Sequence, residues 1–350
     1  MDGVLWPTVL GKLIGGEDLG TDEAAEAMTA ILEGSASPVQ IAGFIVALRA
    51  KGETVVEIAA LVRTMLRFAE RVDVPGPLLD TCGTGGDRSG SINVSTIAAF
   101  VAAGAGARVA KHGNRAASSK CGSADLLEAL GVVVDLGPVG VARCIEEAGI
   151  GFCFAPRFHP AMRHAGLARS ELGVATTFNL LGPLANPAGA RRQILGVGDP
   201  AMAELMVTVL AELGSERALV FHGHDGLDEL TTTTTSAVWD LRGGEVMTYM
   251  LDPTELGIPK ALSGELVGGG PERNAGIARD VLAGALGPAR DIVLLNAGAA
   301  LVVAGLADDF AAGIAGAAAS IDGGAAATAL DRLVAVSGAS RAAETEPVAG

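Results

Sequence analysis

Leu78-Leu79-Asp80-Thr81-Cys82-Gly83-Thr84-Gly85-Gly86-Asp87 opens the part of the chain that decides the fold. Residues 78–82 read as a short buried strand, and the glycines after them read as a tight turn. A second turn, Ser89-Gly90-Ser91-Ile92-Asn93, leads into a helix beginning near Val94. Glycines let backbone N–H groups turn toward an anion, and a helix N-terminus adds positive dipole. No Gly-Lys-Ser/Thr follows, so this is not a Walker A loop. Arg88 stands where a dinucleotide fingerprint needs its third glycine. Phosphate binding and an ordinary glycine-rich turn both fit the loop by itself.

Downstream of the loop, short apolar runs alternate with helical patterns. Candidate strands are 78–82, 108–111, 132–135, 151–154, 194–197, 218–221 and 246–250. That rhythm predicts an α/β domain with a mostly parallel central sheet. Upstream, the first 75 residues predict helices. Ser37-Pro38-Val39-Gln40 is a capping box with proline at the first helical position. Ile41, Phe44, Ile45 and Leu48 behind it fall on one helical face. Thr54 and Glu57 form a second box, followed by Ile58, Leu61, Val62 and Met65. Val74-Pro75-Gly76-Pro77 breaks the pattern and marks a hinge. Residues 169–187 look helical but end in Gly182-Pro183 and Asn186-Pro187, and residues from Ser340 onward read as a frayed tail.

Composition narrows the classes. The chain has 350 residues, 49% of them hydrophobic and 19% charged, which suits a folded core. Aromatic residues are 3%, too few for a surface that stacks sugars or single-stranded bases. A net charge of −15 argues against nucleic-acid and anionic-membrane partners. Cys82, Cys121, Cys144 and Cys153 are scattered without a CxxC, as expected of reduced thiols. No basic, apolar leader is visible beside Asp2. The apolar stretch 292–306 is too short, and too broken by Asn296 and glycines, to span a bilayer. A soluble, cytoplasmic protein is expected.

Three further strings carry chemistry. Lys111-His112-Gly113-Asn114-Arg115 ends a candidate strand, where parallel sheets bind ligands, and gives local positive charge to an acidic chain. Phe221-His222-Gly223-His224-Asp225-Gly226-Leu227-Asp228-Glu229 leaves two metal readings open. One is a transition-metal site on His222, His224 and Asp225; the other is a hard-cation site on Asp228 and Glu229 whose shell is filled by phosphate and water. Arg169 suits either a carboxylate clamp or a surface salt bridge. No GxSxG or HExxH motif occurs.

Taken together the strings resemble the anthranilate phosphoribosyltransferase family. They are Gly83-Thr84-Gly85-Gly86-Asp87, Asn93-Val94-Ser95-Thr96, Lys111-His112-Gly113-Asn114, His159-Pro160-Ala161-Met162, Phe178-Asn179-Leu180-Leu181-Gly182-Pro183-Leu184 and Asp225-Gly226-Leu227-Asp228-Glu229, in the family's order. Ala47-Leu48-Arg49-Ala50-Lys51-Gly52-Glu53-Thr54, Asn274-Ala275 and Asn296-Ala297 match as flanks. The resemblance spans roughly residues 11 to 333.

It implies a small helical domain, residues 1–75 with about 167–187. It also implies a large α/β domain, 76–166 and 188–338, similar to pyrimidine nucleoside phosphorylases, and a flexible tail over 339–350. The implied reaction joins anthranilate to phosphoribosyl pyrophosphate (PRPP), giving N-(5-phosphoribosyl)anthranilate and pyrophosphate, the second step of tryptophan biosynthesis from chorismate. Gly83, Gly86, Asp87, Ser91, Asn93, Ser95, Thr96, Lys111 and Ser123 are implied to bind PRPP. Gly83, Asn114, Arg169, His112, His159, Gly182 and Pro183 are implied to receive anthranilate. Two Mg²⁺ ions are implied, one on Ser95 and Glu229 and one on Asp228 and Glu229, in a homodimer joined through the helical domain. Catalysis would rest on positioning by Asp228, Glu229 and Lys111 rather than on a general base. The chain departs from the family pattern at Ala117-Ser118-Ser119-Lys120-Cys121, where hydroxyls are lost, and at Ala175, where an arginine is usual. A phosphorylase on the same scaffold would use inorganic phosphate and no Mg²⁺, which the Asp228-Glu229 pair opposes. A nucleic-acid-binding relative without catalysis would show a basic groove, which the net charge opposes.

Overall fold

The computed structural model describes residues 4–87, 89–116 and 120–345. Arg88, the expected hydroxyl loss at Ala117-Ser118-Ser119, and residues 346–350 of the expected tail lie outside them.

Four helices come first: α1 (Trp6–Ile14), α2 (Thr21–Leu32), α3 (Pro38–Lys51) and α4 (Val55–Arg67). Both predicted capping boxes form, Ser37 with Gln40 and Thr54 with Glu57. Glu57 does more than cap. Its buried carboxylate accepts from Thr54 N at 2.8 Å, Leu19 N at 2.9 Å and Lys51 Nζ at 3.0 Å, which ties the α1–α2 connection to α4. Ile41, Phe44, Ile45 and Leu48 of α3 are all buried, and so are Ile58, Leu61, Val62 and Met65 of α4.

The remaining elements alternate. They are β1 (Leu79–Gly83), α5 (Val94–Gly104), β2 (Val109–Gly113), α6 (Ser123–Ala129), α7 (Pro138–Ala148) and β3 (Ile150–Phe154). Then α8 (Ala155–Phe158), α9 (Arg163–Leu172) and α10 (Phe178–Leu184) lead to β4 (Arg192–Gly196), α11 (Ala203–Glu212) and β5 (Arg217–Gly223). The chain closes with β6 (Ser236–Arg242), β7 (Glu245–Leu251), α12 (Pro271–Leu282), α13 (Pro288–Ala304), α14 (Phe310–Asp322) and α15 (Ala325–Thr345).

Among the described residues seven strands form one sheet in the order β3-β2-β1-β4-β5-β6-β7. β3 through β5 run parallel, while β6 and β7 add an antiparallel edge. Strand side chains alternate between two cores, as a sheet covered on both faces requires. Leu219 and Phe221 of β5 enter the core built by α5, α7, α13 and α15. Ala218 and Val220 enter the other, shared with α2, α3, α4 and α11. α11 and α10 cover this face of the sheet, and the helical region packs onto it through α4 against α11 and α10. Chain order reverses between β1 and β4, so the crevice at the carboxyl ends of these strands is the expected place for a ligand.

Three expectations need correction. Residues 132–135 form no strand. Val132 and Val134 are buried, but the Val133 N–H is taken by Ser337 Oγ at 3.1 Å, so the segment lies along α15 rather than beside a strand. The helical stretch 169–187 is two helices, because Gly173 adopts a left-handed conformation (φ 62°) and ends α9. The expected tail is helical through Thr345, held where Glu344 accepts from Gly137 N at 2.9 Å. No single helix among the described residues is long and apolar enough to cross a membrane. The apolar stretch 292–306 falls mostly in α13, which is buried in the core.

Candidate active site

The glycine loop leaves β1 and folds over the acid pair that follows β5. Gly85 N donates to Asp228 Oδ2 at 2.7 Å, and Thr84 N donates to the Gly196 carbonyl at 2.9 Å. Two glycines allow this close approach. A Cβ on Gly83 would overlap the Asp228 carboxylate, and one on Gly196 would overlap the Asp228 carbonyl. Only bare backbone at the ends of β1 and β4 lets the Asp228 turn sit down on the sheet.

Glu229 reaches the next element. Its Oε1 accepts from Ser95 N at 3.1 Å in the first turn of α5. Lys111, at the end of β2, is buried and donates to the Thr81 carbonyl, with Ser95 Oγ at 3.4 Å. Thr81 Oγ1 in turn donates to the Ser95 carbonyl at 3.0 Å. The structure thus brings Gly83, Ser95, Lys111, Asp228 and Glu229 into one cluster. Asp87 joins it beside Asp228.

Burial dominates the charges here. It pushes the Asp228 carboxyl up to about 7, helped by repulsion from Asp87 and opposed by the Gly85 N–H. It raises Glu229 well above the usual carboxylate range, with Asp228 adding to the rise. Lys111 is lowered by burial, against the pull of Asp80 and Glu229. Such crowded acids call for a cation. Among the described residues no three His, Cys, Asp or Glu side chains converge into a closed protein cage for a metal. The donors are hard oxygens from one or two carboxylates and a serine, the pattern of Mg²⁺ that completes its shell from phosphate and water. The transition-metal alternative finds its donors engaged separately. His222 Nδ1 meets the Val197 carbonyl at 2.8 Å, His224 Nδ1 meets Thr235 Oγ1 at 3.0 Å, and Asp225 accepts from Thr231 Oγ1 at 2.6 Å.

A second cluster adjoins the first. His112 Nδ1 pairs with the Gly182 carbonyl at 3.0 Å, and His159 Nε2 pairs with the Ala185 carbonyl at 2.9 Å. The two rings lie 5.1 Å apart. Burial lowers His112 to about 3 and His159 to about 4, so both are neutral at pH 7. Each then donates its N–H to a carbonyl and keeps an acceptor nitrogen, His112 Nε2 and His159 Nδ1, without a protein partner among the described residues. The Pro183 carbonyl is taken by Gln193 Nε2 at 2.6 Å. Arg169, in α9, is half-buried and carries no ion pair among the described residues; burial lowers its pKa.

The other expected residues range from exposed to buried. Asn114 is exposed, and its carbonyl accepts from Ser123 Oγ at 3.1 Å. Asn93 is held by protein at both ends, giving to the Cys121 carbonyl at 3.0 Å and accepting from Asn274 Nδ2 at 2.8 Å. Ser91 bridges to Val267, and Thr96 is buried. Gly86 is left-handed (φ 83°), a conformation that favours glycine. Cys121 is buried, with its thiol against the Gly122 carbonyl, and Ala175 is exposed.

Asp80, Thr81, Asn186 and Asn274 stand in the quoted strings, but sequence reading gave them no role in the site. Asp80 is fully buried in β1, accepting from His112 N at 3.1 Å and Asn186 Nδ2 at 2.8 Å. Its signal was a carboxylate inside an otherwise apolar strand run, which must be bonded to be tolerated.

Comparisons with known proteins converge. A model of a glycosyl transferase family a/b domain matches residues 75–327, and a model of the helical bundle domain of such a family matches residues 7–69. An anthranilate phosphoribosyltransferase from Nocardioides sp. is 57% identical over 335 residues, covering 94% of this chain and 98% of its own. The crystal structure of anthranilate phosphoribosyltransferase from Thermus thermophilus matches with a TM-score of 0.89 at 49% identity, covering 94% of this chain and 99% of its own. That of the Saccharomyces cerevisiae enzyme in complex with PRPP and Mg matches with a TM-score of 0.88 at 28% identity, covering 95% and 98%.

Proposed function

The chain belongs to the anthranilate phosphoribosyltransferase family, and from that premise we propose that it joins the amine of anthranilate to C1 of the ribose of PRPP, releasing pyrophosphate. This is the second step of tryptophan biosynthesis. The observation that carries the reading is the buried acid pair, Asp228 and Glu229, bonded to the glycine loop and to the first turn of α5.

Pyrophosphate and the ribose phosphate meet the loop of Gly83, Gly86 and Asp87, then Ser91, Asn93, Ser95 and Thr96 at the start of α5. Backbone N–H groups and the helix dipole favour their charge there. Lys111 and Ser123 add contacts from the next strand and helix. Ser95, Asp228 and Glu229 hold Mg²⁺, two ions per chain. When bound, Mg²⁺ neutralises charge that builds on the departing pyrophosphate.

Anthranilate enters beside the histidine pair. Arg169 takes its carboxylate in a bidentate pair, which suits an arginine that has no acid partner among the described residues. Asn114, His112, His159, Gly182 and Pro183 line its pocket, with Gly83 at the boundary between the two substrates. The amine of anthranilate is neutral at pH 7 and carries its own lone pair, so no residue must deprotonate it before attack. The ribose passes through an oxocarbenium-like state as its bond to pyrophosphate lengthens. The chain's task is to hold two substrates in line and to exclude water.

The helical unit, residues 1–75 with about 167–187, supplies Arg169; the α/β unit, 76–166 and 188–338, supplies the phosphate site. The helical unit also joins two copies in a homodimer. Its exposed apolar side chains, Ile14, Val39, Val46 and Val56 on α1, α3 and α4, support that contact. Mass spectrometry of a reaction holding both substrates and Mg²⁺ tests the chemistry. N-(5-phosphoribosyl)anthranilate is expected only when both substrates are present, and its absence from mixtures that saturate the site would contradict the proposal.

A further inference from the structure

The chain that follows Glu229 is irregular and yet buried. Leu230, Thr231 and Thr232 are 0% exposed although they belong to no strand. Buried backbone without a sheet ladder must find other partners. Thr231 N donates to Ser236 Oγ at 3.0 Å, and the Thr232 carbonyl accepts from Ala261 N at 3.0 Å. Leu230 is served by a single side chain, Asn296. Leu230 N donates to Asn296 Oδ1 at 3.1 Å, and Asn296 Nδ2 donates to the Leu230 carbonyl at 2.9 Å. The second Nδ2 hydrogen goes to the Ile292 carbonyl at 2.9 Å, one turn back in α13.

This carboxamide imitates a neighbouring strand residue, pairing in both directions with one backbone unit. It does so from an apolar helix. Asn296 is 0% exposed between Leu295 and Ala297, where an unbonded amide would be costly. The Leu230 N–H it accepts from belongs to the peptide that joins Glu229 to Leu230, and the Leu230 carbonyl it donates to belongs to the next, so it fixes the main chain next to the root of the Glu229 carboxylate. Among the described residues, no other side chain of α13 hydrogen-bonds the chain segment that follows the acid pair. We propose that Asn296 is a positioning residue that sets the Glu229 carboxylate for cation binding without touching cation or substrate itself. The inference rests on the reading of Asp228 and Glu229 as the cation-holding pair. Residues that orient ligands from behind are typically worth about ten- to a hundredfold in metal affinity or activity.

Asn296→Leu keeps the volume and removes both pairings. Mn²⁺ binding, read by electron paramagnetic resonance in the presence of PRPP, should weaken about tenfold or more. Half-saturating Mg²⁺ in turnover should rise in parallel, with the KM for anthranilate within about twofold of wild type. That split separates positioning from a loss of folded protein, which lowers all amplitudes together. If the leucine variant does not fold, Asn296→Asp serves, since it is isosteric and removes the donors to Leu230 and Ile292. Wild-type Mn²⁺ affinity in a folded variant, or a uniform fall in every parameter, overturns the inference. Should wild-type protein bind Mn²⁺ but transfer nothing to anthranilate, the functional reading fails, and the Mn²⁺ comparison still decides the role of Asn296.

Discussion

Burial disfavours the charged forms of Asp228 and Glu229, and that cost has a pH signature. Asp228 is pushed from an ordinary value of 3.8 up to about 7 by burial and by Asp87. A folded-state pKa above the unfolded one favours folding below the unfolded value, and that advantage is lost as pH rises through the folded value. Measured against Asp228→Asn, cation-free wild type should therefore lose melting temperature between about pH 4 and about pH 7, and Mg²⁺ with PRPP should restore it at about pH 8. The two low-pKa histidines cancel in that difference, so a flat difference would contradict the burial argument. Turnover should fall more than about a hundredfold in Asp228→Asn with Glu229→Gln, with circular dichroism unchanged. Arg169→Ala should raise the KM for anthranilate about ten- to a hundredfold, the worth of a lost charge-assisted hydrogen bond, and leave that for PRPP nearly unchanged. An equal rise in both would remove Arg169 from the carboxylate role. Glycine clusters, Lys111 and the acid pair were legible as residues because each is unusual in its local run. Asp80 and Asn186 were not, since their roles depend on meeting across 106 positions of sequence.

Elements carry the site because three loops converge at the carboxyl ends of β1, β2 and β5. The close contact at Gly196 is the most demanding of them. Gly196→Ala would drive a methyl group into the Asp228 carbonyl, and the backbone must move. The expected loss of stability is about 1–3 kcal/mol, measured by denaturant titration, with a larger fractional loss of activity than of folded protein. Unchanged activity would mean that the Asp228 turn tolerates displacement. Six of the strand segments were readable from apolar runs bounded by glycine. The exception, 132–135, carries the same alternation, but it packs on α15 and pairs with no strand. β6 was missed because its residues, Ser-Ala-Val-Trp-Asp-Leu-Arg, alternate only weakly and follow a run of threonines. Periodicity reports a buried face; it does not report what covers that face.

At the scale of the whole molecule, the chain crosses between the helical region and the sheet three times, near Pro75, near Gly166 and near Asn186. The first and last are braced by polar contacts. Val72 N donates to the Pro187 carbonyl at 3.2 Å, and Arg108 donates to the Pro75 carbonyl. Gly76 is left-handed (φ 90°) at the first crossing. Arg169 and the phosphate-binding loop therefore sit on opposite sides of these links, and each substrate is proposed to depend on a different side. The alternation of helices and strands marked helical and α/β regions in the sequence, whereas only the family resemblance, not periodicity, put about 167–187 with the helices; α9 packs on α2 and α3, and α10 on α4. The two halves are proposed to serve one cation-dependent transfer between anthranilate and PRPP. Loss of anthranilate fluorescence on adding PRPP, with Mg²⁺ and then with Mg²⁺ chelated, tests that claim most directly. Fluorescence should fall in the presence of Mg²⁺, with one pyrophosphate released per anthranilate consumed, and should hold steady after chelation. Steady fluorescence from folded protein supplied with both substrates and Mg²⁺ would contradict it.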